Sequence, residues 1–512
     1  MERSRTEFDV IVCGAGAGGS TVAGLLAGDQ SLRVLLVEAG PADADGRVSD
    51  PDRWPENLGS ERDWGYRTEP GAQTAGRRLL YSMGKGLGGG SSINVGVWSR
   101  GHQRDWDDFA ENCADPRWNY RSMLDVYRRL ETWRGKPDAA RRGSRGPMHI
   151  QPAQQVHPFF HAMLDGAEQL GLERFDSPNG ELAERGAGCA VRDEIIDNGE
   201  RRSPYRAFVA PRLHQDNLTV LTGVRVDRVL VEGGRAVGIE AFADGRPVTF
   251  RAAREVVLSL GAVQTPKVLL RSGIGPARHL ESLDIPVQTD LPGVGENLDD
   301  HLLFGCVWEA AGRDLPPPPR AQAVCFWGTD GRPRSPRFVM YSGAAAFMSP
   351  EAEARYGHPD PAFTFLLGMR LRSRGSVRLR SSDPAADPMI VTGFLDDPDD
   401  VRDAVEGFRF AEAVAHSRPM DEYRGDRGVP GQVSDADVVA YLRTAASTFW
   451  HQSGTARAGL DRTAVVDPEL RVWGVGDLRV VDASVLPGVT SGNTMAPCVA
   501  IGARAADLIG GG

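Results

Sequence analysis

At 512 residues, with 41% hydrophobic and 25% charged side chains, the chain is long enough for two or three domains and has the composition of an ordinary soluble globular protein. Its formal charge of -10, from 59 basic and 69 acidic residues, argues against a nucleic-acid or anionic-membrane binder, which needs a basic face, and leaves room for a cationic small substrate. Six scattered cysteines (Cys13, Cys113, Cys189, Cys306, Cys325, Cys498) form no CxxC pair, which points to buried thiols in a reducing compartment and away from a disulfide or zinc framework.

The opening "MERSRTEFD" lacks the apolar core of a signal peptide, and no run reaches the roughly 18 apolar residues of a membrane span. A cytoplasmic address without a membrane span is therefore expected. Phe8 to Cys13 read as a parallel strand buried on both faces, and a helical pattern runs from about Ser20 to Leu26. Between them Gly14, Gly16 and Gly19 fit the dinucleotide fingerprint: a tight turn, a close approach to pyrophosphate, and close packing of helix on strand. The next strand, "LRVLLVEAG", ends at Glu38, 24 positions after the first glycine, where an acid grips an adenosine ribose. A dinucleotide site follows, with NAD and FAD both open.

Further along, "GKGLGGGSSINVGVW" (84–98) is dense enough in glycine for main chain to lie against a flat or anionic ligand, with Ser91, Ser92 and Asn94 as hydrogen-bond donors. From Asn217 to Glu240 short strands are joined by a Gly-Gly turn, and "REVVLSLGA" adds another. In "GAVQTPKVLLRSGIG" the pair Thr265-Pro266 opens a helix, with Pro266 at its first position. From about Leu302 to Ala440 the character changes. A proline run at Pro316 to Pro319 and candidate strands near Arg337 to Ser342, Ala362 to Leu367 and Gly375 to Leu379 suggest a second lobe on an antiparallel sheet. The last 70-odd residues carry "DLRVVDASVLP" and a helical pattern from Ala496 to Ile509, a strand and helix returning to the N-terminal sheet.

Four motifs spread along the chain now resemble the glucose-methanol-choline (GMC) family of FAD-dependent oxidoreductases. They are the N-terminal fingerprint; "GKGLGGGSSIN" with Trp98, Gly101 and Asp107; "GAVQTPKVLLRSGIG"; and "WHQSGT" with "VVDASVLPGVTSGNTMAP". "SRGSVRL" at Ser373 and "GFLDDPDD" at Gly393 extend the likeness, which is weakest between about Cys306 and Gly368. The resemblance implies an α/β fold: a Rossmann-like FAD-binding domain on a parallel sheet, non-contiguous in sequence (1–150, 190–305 and 440–512). It also implies a substrate domain (151–189 and 306–439) with an antiparallel sheet flanked by helices.

Carried over residue by residue, the resemblance implies that Gly14, Gly16 and Gly19 line the pyrophosphate and that Glu38 holds the ribose, while Val226 meets adenine through its backbone. Gly88, Gly90 and Asn94 run beside pyrophosphate and flavin, Asp482 and Ala483 are the late cofactor-contacting pair, Thr494 sits near the flavin pyrimidine edge, and Trp450 walls the flavin or belongs to the core. Ile93 stands where some members carry the histidine that attaches flavin covalently, so non-covalent FAD is expected.

Oxidising an alcohol removes a hydride from carbon and a proton from oxygen; flavin accepts the first and a protein base must take the second. His451 matches the family's base, and Asn493 the second active-site position, where a carboxamide can orient the alcohol oxygen. His301 in "DDHL" is read as loop structure, and no His/Cys/carboxylate spacing suggests a metal. The expected function is FAD-dependent oxidation of an alcohol, with oxygen or another electron acceptor. The aminoglycoside-biosynthesis dehydrogenases of bacterial secondary metabolism suggest a sugar or amino-sugar hydroxymethyl group as substrate. Choline and simple or aryl alcohols remain alternatives, as does a hydroxynitrile lyase that holds FAD without net redox chemistry. Oxidase or dehydrogenase, and the oligomeric state, stay open.

Overall fold

The computed structural model describes residues 6–42, 46–312, 314–317, 321–328 and 335–511. Its first strand, β1 (Glu7–Cys13), exposes no side chain from Val10 to Cys13, as a parallel strand covered on both faces requires. Gly14 turns the chain with φ +95° into helix α1 (Ala17–Leu26), which leads to β2 (Val34–Val37). The helix starts three residues before the expected Ser20, because Gly18 and Gly19 are wound into its first turn. A Cβ on Gly19 would stand 1.9 Å from the Gly14 carbonyl oxygen, so only glycine lets turn and helix meet.

Next come β3 (Arg174–Phe175), β4 (Gly188–Val191), β5 (Leu218–Leu221), β6 (Val224–Glu232), β7 (Arg235–Ala243) and β8 (Arg246–Leu258). Helix α2 (Gly261–Arg271) follows, and Pro266 stands inside it, not at its first position as the Thr265-Pro266 pair suggests. A mid-helix proline has no N–H for the carbonyl four residues back. That carbonyl, of Ala262, instead accepts from the Thr455 hydroxyl at 2.7 Å, which makes the position tolerable. The two large sheets are completed by β9 (Leu302–Ala310), β10 (Ala323–Trp327), β11 (Phe338–Gly343), β12 (Ala362–Met369), β13 (Arg424–Val429), β14 (Ser447–Thr448) and β15 (Leu478–Val480). Helix α3 (Met495–Gly510) ends the chain and packs on α1.

Strands β5, β2, β1, β8, β7 and β6 form a seven-stranded sheet in that order, with β15 paired to β8. Its β5–β2–β1–β8–β15 part is parallel, and β6 and β7 are antiparallel additions. The late strand and helix thus return to the N-terminal sheet. An eight-stranded sheet orders β13, β9, β12, β11, β10, β4 and β3, with β14 on β9. All its pairings but β3–β4 are antiparallel. The expected strand near Gly375 to Leu379 lies instead in a separate two-stranded sheet, as Ser376–Arg378 against Met389–Val391. The expected divisions after residues 189 and 305 fall inside β4 and β9, and Pro318 and Pro319 lie outside the described residues.

The period of two in the eight-stranded sheet decides which side chains reach the site. Along β11, Phe338 and Met340 join the core that also holds Phe159 and Phe408 from the helices Pro158–Gln169 and Pro398–Ala415. Val339 and Tyr341 point the other way, into a smaller cluster with Val97, Val324 and Phe326. All six cysteines are buried and free. Among the described residues no group could hold a metal ion, and no helix is long and apolar enough to cross a membrane.

Candidate active site

One cavity is lined by the glycine-rich turns of the N-terminal segment and by Trp450, His451, Asp482, Ala483, Asn493 and Thr494 from the C-terminal one. Gly14, Gly16, Glu38, Gly90 and Asn94 complete the expected residues found on its wall. Three others are not there. Gly19 faces the Gly14 carbonyl behind the wall; Gly88 is backed by Ser92, whose Oγ a Cβ would meet at 2.0 Å; Val226 is buried in β6, paired with Ala241. Gly19 and Gly88 pack the turns behind the wall, and the Val226 side chain packs within the sheet.

The wall fits a bound FAD. Ideal Cβ atoms on Gly16 and Gly90 meet nothing closer than 3.9 Å and open space respectively, leaving main chain accessible at the N-terminus of α1, where helix amides favour anions. Four buried polar atoms on the same wall, Trp54 Nε1, Ser82 Oγ, Trp450 Nε1 and Gln452 Nε2, have no hydrogen-bond partner among the described residues. Such groups are costly unless a ligand engages them. Glu38 accepts the N–H groups of Ala15 (2.9 Å) through Oε2 and of Gly40 (2.9 Å) and Gly86 (3.0 Å) through Oε1. It therefore knits three turns together at the cavity wall. Burial pushes its carboxyl up from the ordinary range and the amide donors pull it back.

Asp482 acts as a clamp. Its Oδ2 accepts from the Gly261 N–H (2.8 Å) and the Thr265 hydroxyl (2.6 Å), and its Oδ1 from the Ser484 N–H (2.8 Å). The start of α2 is thus tied to the cavity wall. Asn94 likewise spends its Oδ1 on the Gly96 N–H (2.9 Å) and Arg201 Nη1 (2.8 Å). Trp450 is held at φ +60°, a conformation that a bulky residue adopts only where its surroundings impose it. Ile93 lines the cavity and offers no nucleophile for a covalent link.

His451 and Asn493, 42 positions apart, meet on this wall with Asn493 Nδ2 3.0 Å from His451 Nε2. The other ring nitrogen of His451 lies 2.8 Å from His301 Nδ1. Burial pushes the His451 imidazole down to about 3, and burial together with the neighbouring His451 pushes His301 well below the ordinary range. Both rings are neutral near pH 7, so one nitrogen of each carries a proton and the other a lone pair. The Thr490 main chain approaches His301 without good hydrogen-bond geometry at Nε2. Asp300 fixes the backbone of His451: its Oδ1 accepts the His451 N–H at 2.9 Å, and its Oδ2 accepts the Thr448 hydroxyl. Burial pushes the Asp300 carboxyl up to about 7.

His301 is thus a site residue and not only loop structure, a correction to the reading of "DDHL". Tyr341 is the other residue the sequence did not single out: its hydroxyl donates to Asn493 Oδ1 at 2.6 Å. The signal for His301 was present in two acids and a histidine placed just before a new lobe; Tyr341 had none. Phe449, with its ring centroid 5.0 Å from that of His451, closes the apolar side.

Comparison with known proteins agrees with this geometry. Two family models described as GMC oxidoreductase match residues 8–303 and 372–502. The oxygen-dependent choline dehydrogenase of Rhizobium etli is 33% identical over 534 residues, covering 98% of this chain and 95% of that one. Its counterpart from Paraburkholderia xenovorans is 35% identical over 543 residues, covering 99% and 94%. Among solved structures, pyridoxine 4-oxidase from Mesorbium loti superposes with a TM-score of 0.92 at 31% identity, covering 98% of each chain. Formate oxidase from Aspergillus oryzae RIB40 does so with a TM-score of 0.90 at 25% identity, covering 99% of this chain and 98% of that one.

Proposed function

The chain belongs to the GMC oxidoreductases, FAD-dependent enzymes that act on alcohols, and from that premise we propose that His451 is its catalytic base and Asn493 the group that orients the alcohol oxygen. The observation that carries this reading is the 3.0 Å approach of Asn493 Nδ2 to His451 Nε2. An alcohol oxygen inserted between them donates its proton to Nε2 and accepts from Nδ2, so proton removal and alkoxide stabilisation act on one atom. Bound FAD supplies the hydride acceptor. Phe449, Trp450, Ile93, Val95 and Val97 keep water from that point, which strengthens both hydrogen bonds.

For the cofactor, we assign Gly14, Gly16 and Gly90 with the N-terminus of α1 to the pyrophosphate and Glu38 to the ribose. Trp450, Asp482, Ala483, Asn94 and Thr494 line the flavin end. Ile93 supports non-covalent attachment. The seven-stranded sheet carries the cofactor, and the eight-stranded sheet reaches the site through Tyr341, whose hydroxyl donates to Asn493.

The cavity wall also bears on the alcohol. Among the described residues its only carboxylates, Glu38 and Asp482, are already engaged by three and four donors, and aromatic and aliphatic side chains surround the His–Asn pair. A polycationic amino sugar finds no free counter-charge there. A quaternary ammonium can rest on aromatic faces, worth about 0.5–2 kcal/mol, and an aryl group packs equally well. Choline or an aryl alcohol, with oxygen as acceptor, is therefore the favoured reading, in keeping with relatives named oxygen-dependent choline dehydrogenases.

The test is anaerobic mixing of the holoenzyme with choline, benzyl alcohol and an aminoglycoside, followed by air. Bleaching by choline or benzyl alcohol and recovery in air are expected, with a loss of about 10²–10⁴ in bleaching rate for His451→Gln. An oxidised spectrum unchanged by every alcohol overturns the redox reading and leaves a lyase.

A further inference from the structure

Four side chains from four separate segments stand in one hydrogen-bonded row: Tyr341 on β11, Asn493, His451 and His301. The contacts are Tyr341 Oη to Asn493 Oδ1 at 2.6 Å, Asn493 Nδ2 to His451 Nε2 at 3.0 Å, and His451 Nδ1 to His301 Nδ1 at 2.8 Å. Such a row is self-consistent in either of two directions. In the first, the phenol donates to the carboxamide oxygen, the carboxamide nitrogen donates to His451 Nε2, and Nε2 must present a lone pair. The one proton of the neutral ring then sits on Nδ1 and is given to His301. In the second, the carboxamide is turned over, its oxygen demands a proton on His451 Nε2, and the base is blocked at the nitrogen facing the alcohol.

At the His301 end the bias is small: the Thr490 main chain favours a proton on His301 Nε2, and with it the first direction, but without good hydrogen-bond geometry. The asparagine does not choose, because its two ends are alike in size. The stronger constraint lies at the other end of the row. Tyr341 is 4% exposed, in a cluster with Val97, Val324, Phe326 and Val339, its ring edge-on to Phe449 at 6.1 Å. Burial pushes the phenol pKa of Tyr341 up from its ordinary value, so the hydroxyl keeps its proton. Asn493 Oδ1 is the acceptor of that proton, and the turned-over carboxamide would replace it with a second donor, leaving the O–H of a buried phenol against apolar neighbours. A buried donor without an acceptor loses its full desolvation cost.

We propose that Tyr341 is a positioning residue that sets the direction of this row, and so keeps the lone pair of His451 on Nε2. The assignment rests on the reading of His451 as the base. Tyr341 touches neither reacting atom; it acts through Asn493, and its alternation-determined place on β11 aims it there.

The test uses the holoenzyme, the variants Tyr341→Phe and Asn493→Asp, their combination, and His451→Gln as a spectral reference. Tyr341→Phe keeps the ring and removes the donor. Anaerobic flavin reduction by a saturating alcohol is expected to slow by about 10- to 100-fold, a part of what a positioned base supplies, with the half-saturating concentration changed less than threefold. Asn493→Asp replaces the donating end by a second acceptor and forces a proton onto Nε2. Adding Tyr341→Phe to that variant is expected to slow reduction no further. Nitrogen-15 spectra of histidine-labelled wild-type holoenzyme, with the His451 signals identified by their loss in His451→Gln, read the tautomer directly. A proton on Nδ1 and none on Nε2 is expected in wild type, and a mixture in Tyr341→Phe.

Reduction by Tyr341→Phe at the wild-type rate overturns the proposal, as does a wild-type spectrum with the proton on Nε2. The second measurement decides even where Tyr341→Phe fails to fold. Full activity in His451→Gln overturns the base assignment instead, and the spectra still report whether Tyr341 orders the row.

Discussion

A histidine in water is half protonated near pH 6.5, so a base of this kind ordinarily fails through the mildly acidic range. Burial moves that limit for His451 down to about 3. The rate of anaerobic flavin reduction is therefore expected to stay level from pH 7 down to pH 5, and stopped-flow traces across that range check it; a decline centred on 6.5 would contradict the buried geometry. The same shift has a stability cost of known sign. A folded-state value below the unfolded one means that the unfolded chain binds the proton first, so stability falls as pH drops below 6.5. At pH 5 the penalty is about 2 kcal/mol. His451→Gln removes it, so the melting temperature of this variant relative to wild type should rise between pH 7 and pH 5. His451 and Asn493 were legible because flanking residues mark them; the role of His301 was not, since its partner lies 150 positions away and no local pattern encodes a tautomer.

Turns and helices divide the glycines into two kinds that the sequence motif treats alike. Gly19 is filled by neighbours: an added methyl would lie 1.9 Å from one backbone oxygen. At Gly16 it meets only the Ser259 oxygen at 3.9 Å, on the cavity side. Gly19→Ala is accordingly expected to cost about 3 kcal/mol or more or to prevent folding, as overpacking without relief does. The Gly16→Ala apoprotein should fold with a melting temperature close to that of the wild-type apoprotein and bind FAD more weakly, as titration of the apoprotein with FAD would reveal. The order strand, turn, helix, strand, acid was readable from local composition. The start of α2 was not, because a proline looks like a first-turn residue until Thr455, nearly 200 positions on, is known to occupy the orphaned carbonyl.

Across the whole chain, cofactor and fold are linked by mass action, since FAD binds only the assembled cavity. Acid precipitation should release free yellow flavin, because Ile93 gives no covalent link. A mildly prepared apoprotein should melt lower and recover on adding FAD, by about 2.7 kcal/mol at a hundredfold excess over its dissociation constant. The parallel sheet and its late return were readable from buried apolar runs. The β3 edge of the second sheet was not, since β3 and β4 come from a segment remote in sequence and the pairing of β4 with β10 is set by tertiary contacts. His301 immediately precedes β9, and Thr448 ends β14, two strands joined by the Leu302–Thr448 pair. On the reading of His451 as the base, its hydrogen-bonded partners are rooted in β9, β14 and, through Tyr341, β11, and strands β3, β4, β10, β12 and β13 carry none of them. New preferences among alcohols can arise in this scaffold by altering distant strands while the reaction itself is inherited unchanged.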